Sequence, residues 1–325
     1  MASFGTTFQT FQAIGLREDL ENTIYNISPT DTPFISNGGR GDANATLHEW
    51  QTDSLATVDT ANAQIQGDDI TAIAAVTPTV RVGNYTQISR KLVAVAGTLD
   101  AVDKAGRDSE LAYQLAKKSK ELKRDMEAIA LHNIAGSAGN ATTAATMATM
   151  GAWLKTNISY YTTDGGNPSY TSGVPAAART DGTTRAFSET LFKAVLQSVW
   201  ESGGSLRMAM AGPANKQNLS QMAGIATHTY NFSGDQQMTI VGAADVYVSD
   251  FGVLSIVPNR FQRDRDVWVL DPEYYSIAYL RSFRTEKLAK TGDAEKRMLL
   301  VEWTLKVHNE SAHGLVADLN TTLQT

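Results

Sequence analysis

The feature that most constrains this chain is a long opening stretch with no core of its own. Over residues 1–40 the apolar positions Phe4, Phe8, Phe11, Ile14 and Leu16 stand far apart among Thr, Gln and Gly. Pro29 and Pro33 then hold the backbone extended, because a proline disfavours the helical conformation of the residue before it. Such a segment needs a surface to lie on, in its own subunit or in a neighbour. Residues 41–90 read as a hairpin-like excursion. An outgoing stretch from Ala43 to Gln51 reaches a polar tip over residues 52–75, and the chain returns through Thr77-Pro78-Thr79-Val80-Arg81-Val82 and Tyr85 to Leu92. At about 3.3 Å per residue a ten-residue strand reaches roughly 30 Å, enough to leave its own body.

The rest of the chain has the pattern of a packed protein. Leu111, Leu115, Leu122, Met126 and Ile129 form one stripe of a 3.6-residue period and predict a helix over 108–133, capped by Asp108 or Ser109 and closed near Gly136. Residues 136–185 turn to Gly, Ala, Ser and Thr, which predicts a loop-rich insertion with a short hairpin at Trp153 to Tyr161. A compact lobe follows, with a helix over 188–201 capped by Ser188, a strand from Arg207 to Ala211, a helix over 214–223, and strands near 238–249, 252–258 and 266–270. Leu299, Val301, Trp303, Leu305 and Val307 alternate with Leu300, Glu302, Thr304, Lys306 and His308, the pattern of a half-buried strand returning to the first lobe. With 325 residues, the chain exceeds the size at which single cores tend to divide, so an α+β protein of two intertwined lobes is expected.

Charge is unevenly placed. The first 60 residues carry Arg17 and Arg40 against eight acids, among them Asp31, Glu49, Asp53 and Asp59, and so account for the whole net charge of −6. Segment 281–297 leans the other way, with Arg281, Arg284, Lys287, Lys290, Lys296 and Arg297 against three acids. Acidic arms and a basic late segment suit reciprocal contacts between subunits; solvated surface would read the same way. Trp50, on the projecting hairpin, is a second candidate for subunit contact, with packing inside the hairpin as the alternative. No concentrated basic face of a nucleic-acid reader is present.

Signals of chemistry are sparse. The chain has no cysteine, which excludes disulfides and thiolate metal sites, and no apolar run approaches the ~20 residues that span a bilayer. Phosphate-binding loops, nucleophile elbows and zinc-protease motifs are absent. His308, Glu310 and His313 have poor ligand spacing. Arg40-Gly41-Asp42 spells an adhesion tripeptide, but Gly38-Gly39-Arg40-Gly41 reads more simply as a flexible turn, and Gly67-Asp68-Asp69 reads as a polar loop tip. No catalytic, cofactor or metal residue is assigned.

Asn26-Ile27-Ser28-Pro29-Thr30-Asp31-Thr32-Pro33-Phe34, then Gly39-Arg40-Gly41, then His48-Glu49-Trp50-Gln51-Thr52-Asp53-Ser54-Leu55, resembles a phage major-capsid family with an SPxDTPF…HEWxxDxL signature. The order of elements after it is similar to that of Hong Kong 97-type capsid proteins. The resemblance implies an N-arm at 1–38, an extended loop at 39–92, a peripheral domain at 93–135 with its spine helix at 108–133, and the insertion at 136–185. It further implies an axial domain at 186–270 and a return to the peripheral domain over 271–325. It implies hexamers and pentamers forming a head around double-stranded DNA, built in a bacterial cytoplasm with a portal and separate scaffolding or cement proteins, and no membrane. The first lysine is Lys91, so a lysine crosslink from the loop tip is not expected. The chain starts at the arm, so scaffolding is expected as a separate protein or as a part already trimmed away. Alternative readings are an encapsulin-type cellular shell, a tail or decoration protein, or an enzyme using His228 or His308.

Overall fold

The computed structural model describes residues 28–67, 75–222 and 245–323. The apolar points before Ser28, residues 68–69 of the Gly67-Asp68-Asp69 tip, His228, and the first part of the strand expected at 238–249 lie outside them. The elements begin with α1 (Pro33–Asn37), β1 (Gly39–Asp42) and β2 (Leu47–Thr52). The chain comes back through β3 (Val80–Tyr85) and β4 (Gln87–Ala96) into α2 (Gly97–Ala101) and the long α3 (Glu110–Ala130). Next come α4 (Met150–Trp153), β5 (Ile158–Ser159), β6 (Ser169–Thr171) and β7 (Val174–Ala177). The second half has α5 (Glu189–Glu201), β8 (Met208–Ala211), α6 (Pro213–Ser220), β9 (Val246–Ser249) and β10 (Gly252–Pro258). It closes with β11 (Val267–Leu270), β12 (Tyr275–Lys287), β13 (Ala294–Val307) and β14 (Gly314–Val316).

Two sheets organise the molecule. The first has order β1-β12-β13-β4, with β1 parallel to β12 and the other pairs antiparallel. The long helix α3 packs against β4 and β13. Ser109 caps it by accepting a hydrogen bond from the Ala112 amide, and Leu122, Met126 and Ala130 bury its C-terminal half. The second sheet has order β5-β14-β11-β8-β10-β9. It is a wall between two cores. Met208, Met210, Trp268, Leu270 and Leu315 point into the core shared with α3, while Ala209, Ala211, Val267, Val269 and Val316 point into the core under α5. Side chains alternate across a strand, so β8 and β11 are apolar at every position because each of their faces meets a core.

Several expectations need correction. Trp153–Tyr161 is not a hairpin: residues 150–153 form α4, and Ile158–Ser159 pair in parallel with β14. The surrounding 136–185 stretch is largely irregular, yet Met147, Met150, Trp153 and Leu154 are core residues. Small residues let the backbone pass through the interior there, which composition alone reads as loop. Arg40-Gly41-Asp42 is not a flexible turn but lies in strand β1, in register with Ile277 to Tyr279. The glycines before it serve close approach: a Cβ on Gly38 would lie 2.5 Å from the Tyr275 ring. The strand expected over 299–307 is longer and is not half-buried. Leu300, Glu302 and Thr304 are buried as well as the odd-numbered residues, because β3, α4 and α3 all contact β13. Helix α3 ends at Leu131, before Gly136, where the Thr149 hydroxyl takes over the backbone groups of His132 and Ile134.

Candidate assembly surfaces

The β2–β3 hairpin is well anchored at its base and bare at its tip. Asn84, fully buried, donates to the carbonyls of Ala148 and Leu305 at 2.8 and 2.7 Å and accepts from the Ala148 amide at 2.7 Å. The base is thereby sewn to both β13 and the irregular stretch before α4. Trp50 packs on Trp153 with ring centroids 5.4 Å apart, and the Lys306 ammonium sits 5.7 Å from its ring centroid. Within the chain Trp50 thus packs on α4 and β13, outside its own hairpin. Burial, and then the nearby Lys306 charge, hold His48 below its ordinary pKa. Glu49 pairs with Arg81 at 3.0 Å across the two strands.

Beyond Thr52 the described tip makes only local contacts. Asp53 and Asp59 accept from the amides of Ser54 and Ala61. Leu55 is 99% exposed, Val58 86%, Ile65 78% and Val76 91%. Leu55, Val58 and Ile65 lie in the stretch that the sequence presents as a polar tip, and Val76 lies just after it. The available signal was apolar residues recurring in a segment with neither strand nor helix period to bury them. Asp31 and Arg40 are also exposed, near the open edge of the first sheet at β1.

The basic segment sits on the β12–β13 hairpin. Its cations are largely engaged within the chain. Arg281 pairs with Glu302, Arg284 with Glu286 at 2.8 Å, Lys287 with Glu295 at 3.8 Å, and Arg297 with Glu295 at 2.6 Å. Glu295 is held below its ordinary pKa chiefly by its hydrogen bond from Arg297. Lys290 has no ion-pair partner among the described residues. Glu49, Asp53 and Asp59 thus lie on the β2–β3 hairpin and its tip, the basic candidates on the β12–β13 hairpin, and no ion pair joins the two sets among the described residues.

Among the described residues, His308 and His313 form no catalytic arrangement. His308 Nε2 lies 3.0 Å from Ser276 Oγ, but no carboxylate bonds its ring among the described residues. Burial, then Lys306, keeps it below its usual pKa, so it is poorly suited to collecting protons. His313 is fully buried, accepting from the Asp271 amide through Nδ1 and facing the Tyr274 carbonyl through Nε2. Glu310 turns its carboxylate to the amides of Lys155 and Thr156. His308, Glu310 and His313 therefore do not converge, and no group of three metal-binding side chains occurs among the described residues. No described helix is long and apolar enough to cross a membrane.

Two further features escaped sequence reading. Arg179, fully buried, meets Asp266 at 3.1 Å and Asp318 at 3.4 Å, while Arg265 meets Asp318 at 2.7 Å. This knot fastens the irregular 160–185 stretch to the ends of β11 and β14; its members are up to 139 residues apart and share no motif. The second is an apolar patch on the outer end of the second sheet, with Trp200 against Phe251 at 5.2 Å and Val246, Val248 and Val253 exposed. Alternation in β9 and β10 could have revealed it.

Comparison with known proteins fits this geometry. The family model for the SU10 major capsid protein matches residues 1–320. The major capsid protein of Escherichia phage Phieco32 is 44% identical over 126 residues, 39% of this chain; the aligned stretch spans only 36% of that relative's length. Among solved structures, the Cyanophage A-1(L) capsid asymmetric unit superposes with a TM-score of 0.66 at 11% identity, covering 96% of this chain and 98% of that one. The holo-SrpI encapsulin complex from Synechococcus elongatus PCC 7942 superposes with a TM-score of 0.53 at 8% identity, covering 96% and 95%. At such identities the likeness speaks for the fold, which is the α+β Hong Kong 97-type fold.

Proposed function

The chain belongs to the SU10 major capsid protein family, and from that premise we propose that it is the shell-building subunit of a tailed-phage head, with a structural and not a catalytic task. The subunits close as hexamers and pentamers around double-stranded DNA, assembling in the host cytoplasm with a portal and separate scaffolding or cement proteins. In this reading residues 1–38 are the N-arm, 39–92 the extended loop, 93–135 the peripheral domain with α3 as its spine, and 136–185 an insertion. Residues 186–270 form the axial domain, and 271–325 return to the peripheral domain.

The observation that carries the reading is the loop tip. Four aliphatic side chains between 78% and 99% exposed, on a hairpin whose base is rigidly anchored, are costly in an isolated monomer. Burying each would contribute roughly 1.5–3 kcal/mol. A neighbouring subunit is the natural place to bury them. Asp31, Arg40, Glu49, Trp50, Asp53 and Asp59 would flank these contacts. Arg284 and Lys287 would receive acidic groups by exchanging exposed internal ion pairs for intersubunit ones, at little cost because such pairs are worth at most ~1 kcal/mol each; Lys290 would receive one directly, and Arg281 would do so while keeping its bond to the buried Glu302.

The test is a triple substitution, Leu55→Asp, Val58→Asp and Ile65→Asp. The subunit should keep its fold by circular dichroism, since none of the three packs on the body, and should stop forming shells in sedimentation and electron microscopy. Wild-type shell yield from this variant would overturn the reading. The encapsulin neighbour motivates one control: DNA inside native particles accords with a phage head, whereas an enzyme cargo without DNA would favour the cellular shell.

A further inference from the structure

Helix α3 carries a second basic surface that the charge pattern of the whole sequence hides. Lys117, Lys120 and Arg124 follow Tyr113 at intervals of four, three and four, which places all four on one helix face. Together they line a surface cavity of about 330 Å³. No acid pairs with Lys117, Lys120 or Arg124 among the described residues, in contrast to the largely paired cations of the β12–β13 hairpin. Glu121 is in the same wall, but its carboxylate is held by Lys118 at 2.7 Å. Arg124 leans on the Phe261 ring at 5.3 Å, and its Nε is buried with no hydrogen-bond partner among the described residues. A buried donor without a partner is costly, so Arg124 can take a further acceptor.

The same cavity is lined by Ser28 and Thr30, where the described chain begins. Immediately upstream runs Leu16-Arg17-Glu18-Asp19-Leu20-Glu21-Asn22-Thr23-Ile24, with three acids against one arginine and with Leu16, Leu20 and Ile24 four apart. Glu21 is seven residues from Ser28, a reach of at most about 25 Å. The stripe from Lys117 to Arg124 is only about 10 Å long at the helical rise. Acid, reach and entry point therefore coincide.

We propose that residues 16–24 dock on the Lys117–Lys120–Arg124 face of α3 in the same chain, with Glu18, Asp19 and Glu21 as counter-ions and the leucines against Tyr113 and Ala116. This seat, and not the β12–β13 hairpin, takes the acidic segment nearest the N-terminus. The docking is intramolecular, so it does not rest on the shell-building reading. It makes the register of the arm on its own helix a fixed property of the subunit.

Hydrogen exchange on the full-length dissociated subunit tests it. Lys117→Glu with Lys120→Glu should raise amide exchange over residues 16–24 at least ten-fold, while α3 itself keeps its protection. Adding Glu18→Lys and Glu21→Lys should restore protection by swapping the charges. Exchange over 16–24 that the α3 variant leaves unchanged overturns the proposal. So does protection that appears only in assembled shells, which would make the occupant a neighbour's segment. Unchanged exchange joined to weaker binding of a DNA duplex by the α3 variant would assign the stripe to phosphates instead.

Discussion

At the scale of single residues, a few buried polar groups join distant parts of the chain. His313 is the most pH-sensitive of them. Complete burial pushes it down to about 4, and the Asp271 amide pointing at Nδ1 requires the neutral ring. Its folded pKa lies below the unfolded value of about 6.5, so the unfolded chain binds the extra proton between those two values. The contribution is therefore full above pH 6.5 and is lost as pH falls toward 4, by roughly 3 kcal/mol. Denaturant unfolding of the dissociated subunit at a series of pH values should show this slope in the wild type and a flatter one in His313→Gln; equal slopes would refute the assignment. Asn84 supplies a second test. Asn84→Ala leaves two carbonyls and one amide unpaired in the interior, an expected loss of about 3 kcal/mol or more in the same unfolding assay. A loss below ~1 kcal/mol would mean that those groups find other partners.

At the scale of elements, what the sequence made legible was local and periodic. The caps at Ser109 and Ser188, the stripe of α3, and α5 appear where the residue pattern puts them. What it hid depends on partners remote in sequence. Glu302 and Thr304 look like the wet side of a strand until β3 and α4 are seen to contact β13. Gln87–Leu92 looked like the end of the projecting hairpin, but they pair with residues 298–303, because the strand breaks at Thr86 and changes partner. Of the candidate contact residues, the charged ones were visible by sign, whereas the engagement of Arg281, Arg284 and Lys287 by acids of their own hairpin was not. Another element-level feature is the prop under the loop. Gly173, at φ +80° in the β6–β7 turn, accepts at its carbonyl from the Gly83 amide, and a Cβ there would come within 2.2 Å of the Arg81 carbonyl. Gly173→Ala should push the β6–β7 hairpin off β3 and raise exchange at the Gly83 amide, with a loss of about 1–3 kcal/mol. Unaltered protection at Gly83 would show that β2 alone holds the hairpin base.

At the scale of the whole molecule, a six-stranded wall with a core on each side makes a stiff body, and the loop projects from it with its apolar side chains uncovered. The design is that of a part: the two cores of the body are closed, whereas the projection leaves aliphatic side chains almost fully exposed. In the proposed assembly, contacts between the loop acids Glu49, Asp53 and Asp59 and the cationic β12–β13 hairpin of a neighbour would add a salt-dependent component, since exposed charges are screened beyond about 8–10 Å at physiological ionic strength. Shell assembly followed by light scattering should accordingly shift with salt between low and high ionic strength; rates that do not change would remove charge from the account and leave the apolar tip alone. The most direct test of the central claim is electron microscopy, with sedimentation, of the wild-type chain expressed alone and with candidate scaffolding proteins, and of particles from its source. The account predicts closed shells, or rings of six and five subunits, in which Leu55, Val58 and Ile65 are buried against a neighbour. A chain that remains monomeric under those conditions, or a shell in which the tip stays bare, would contradict it.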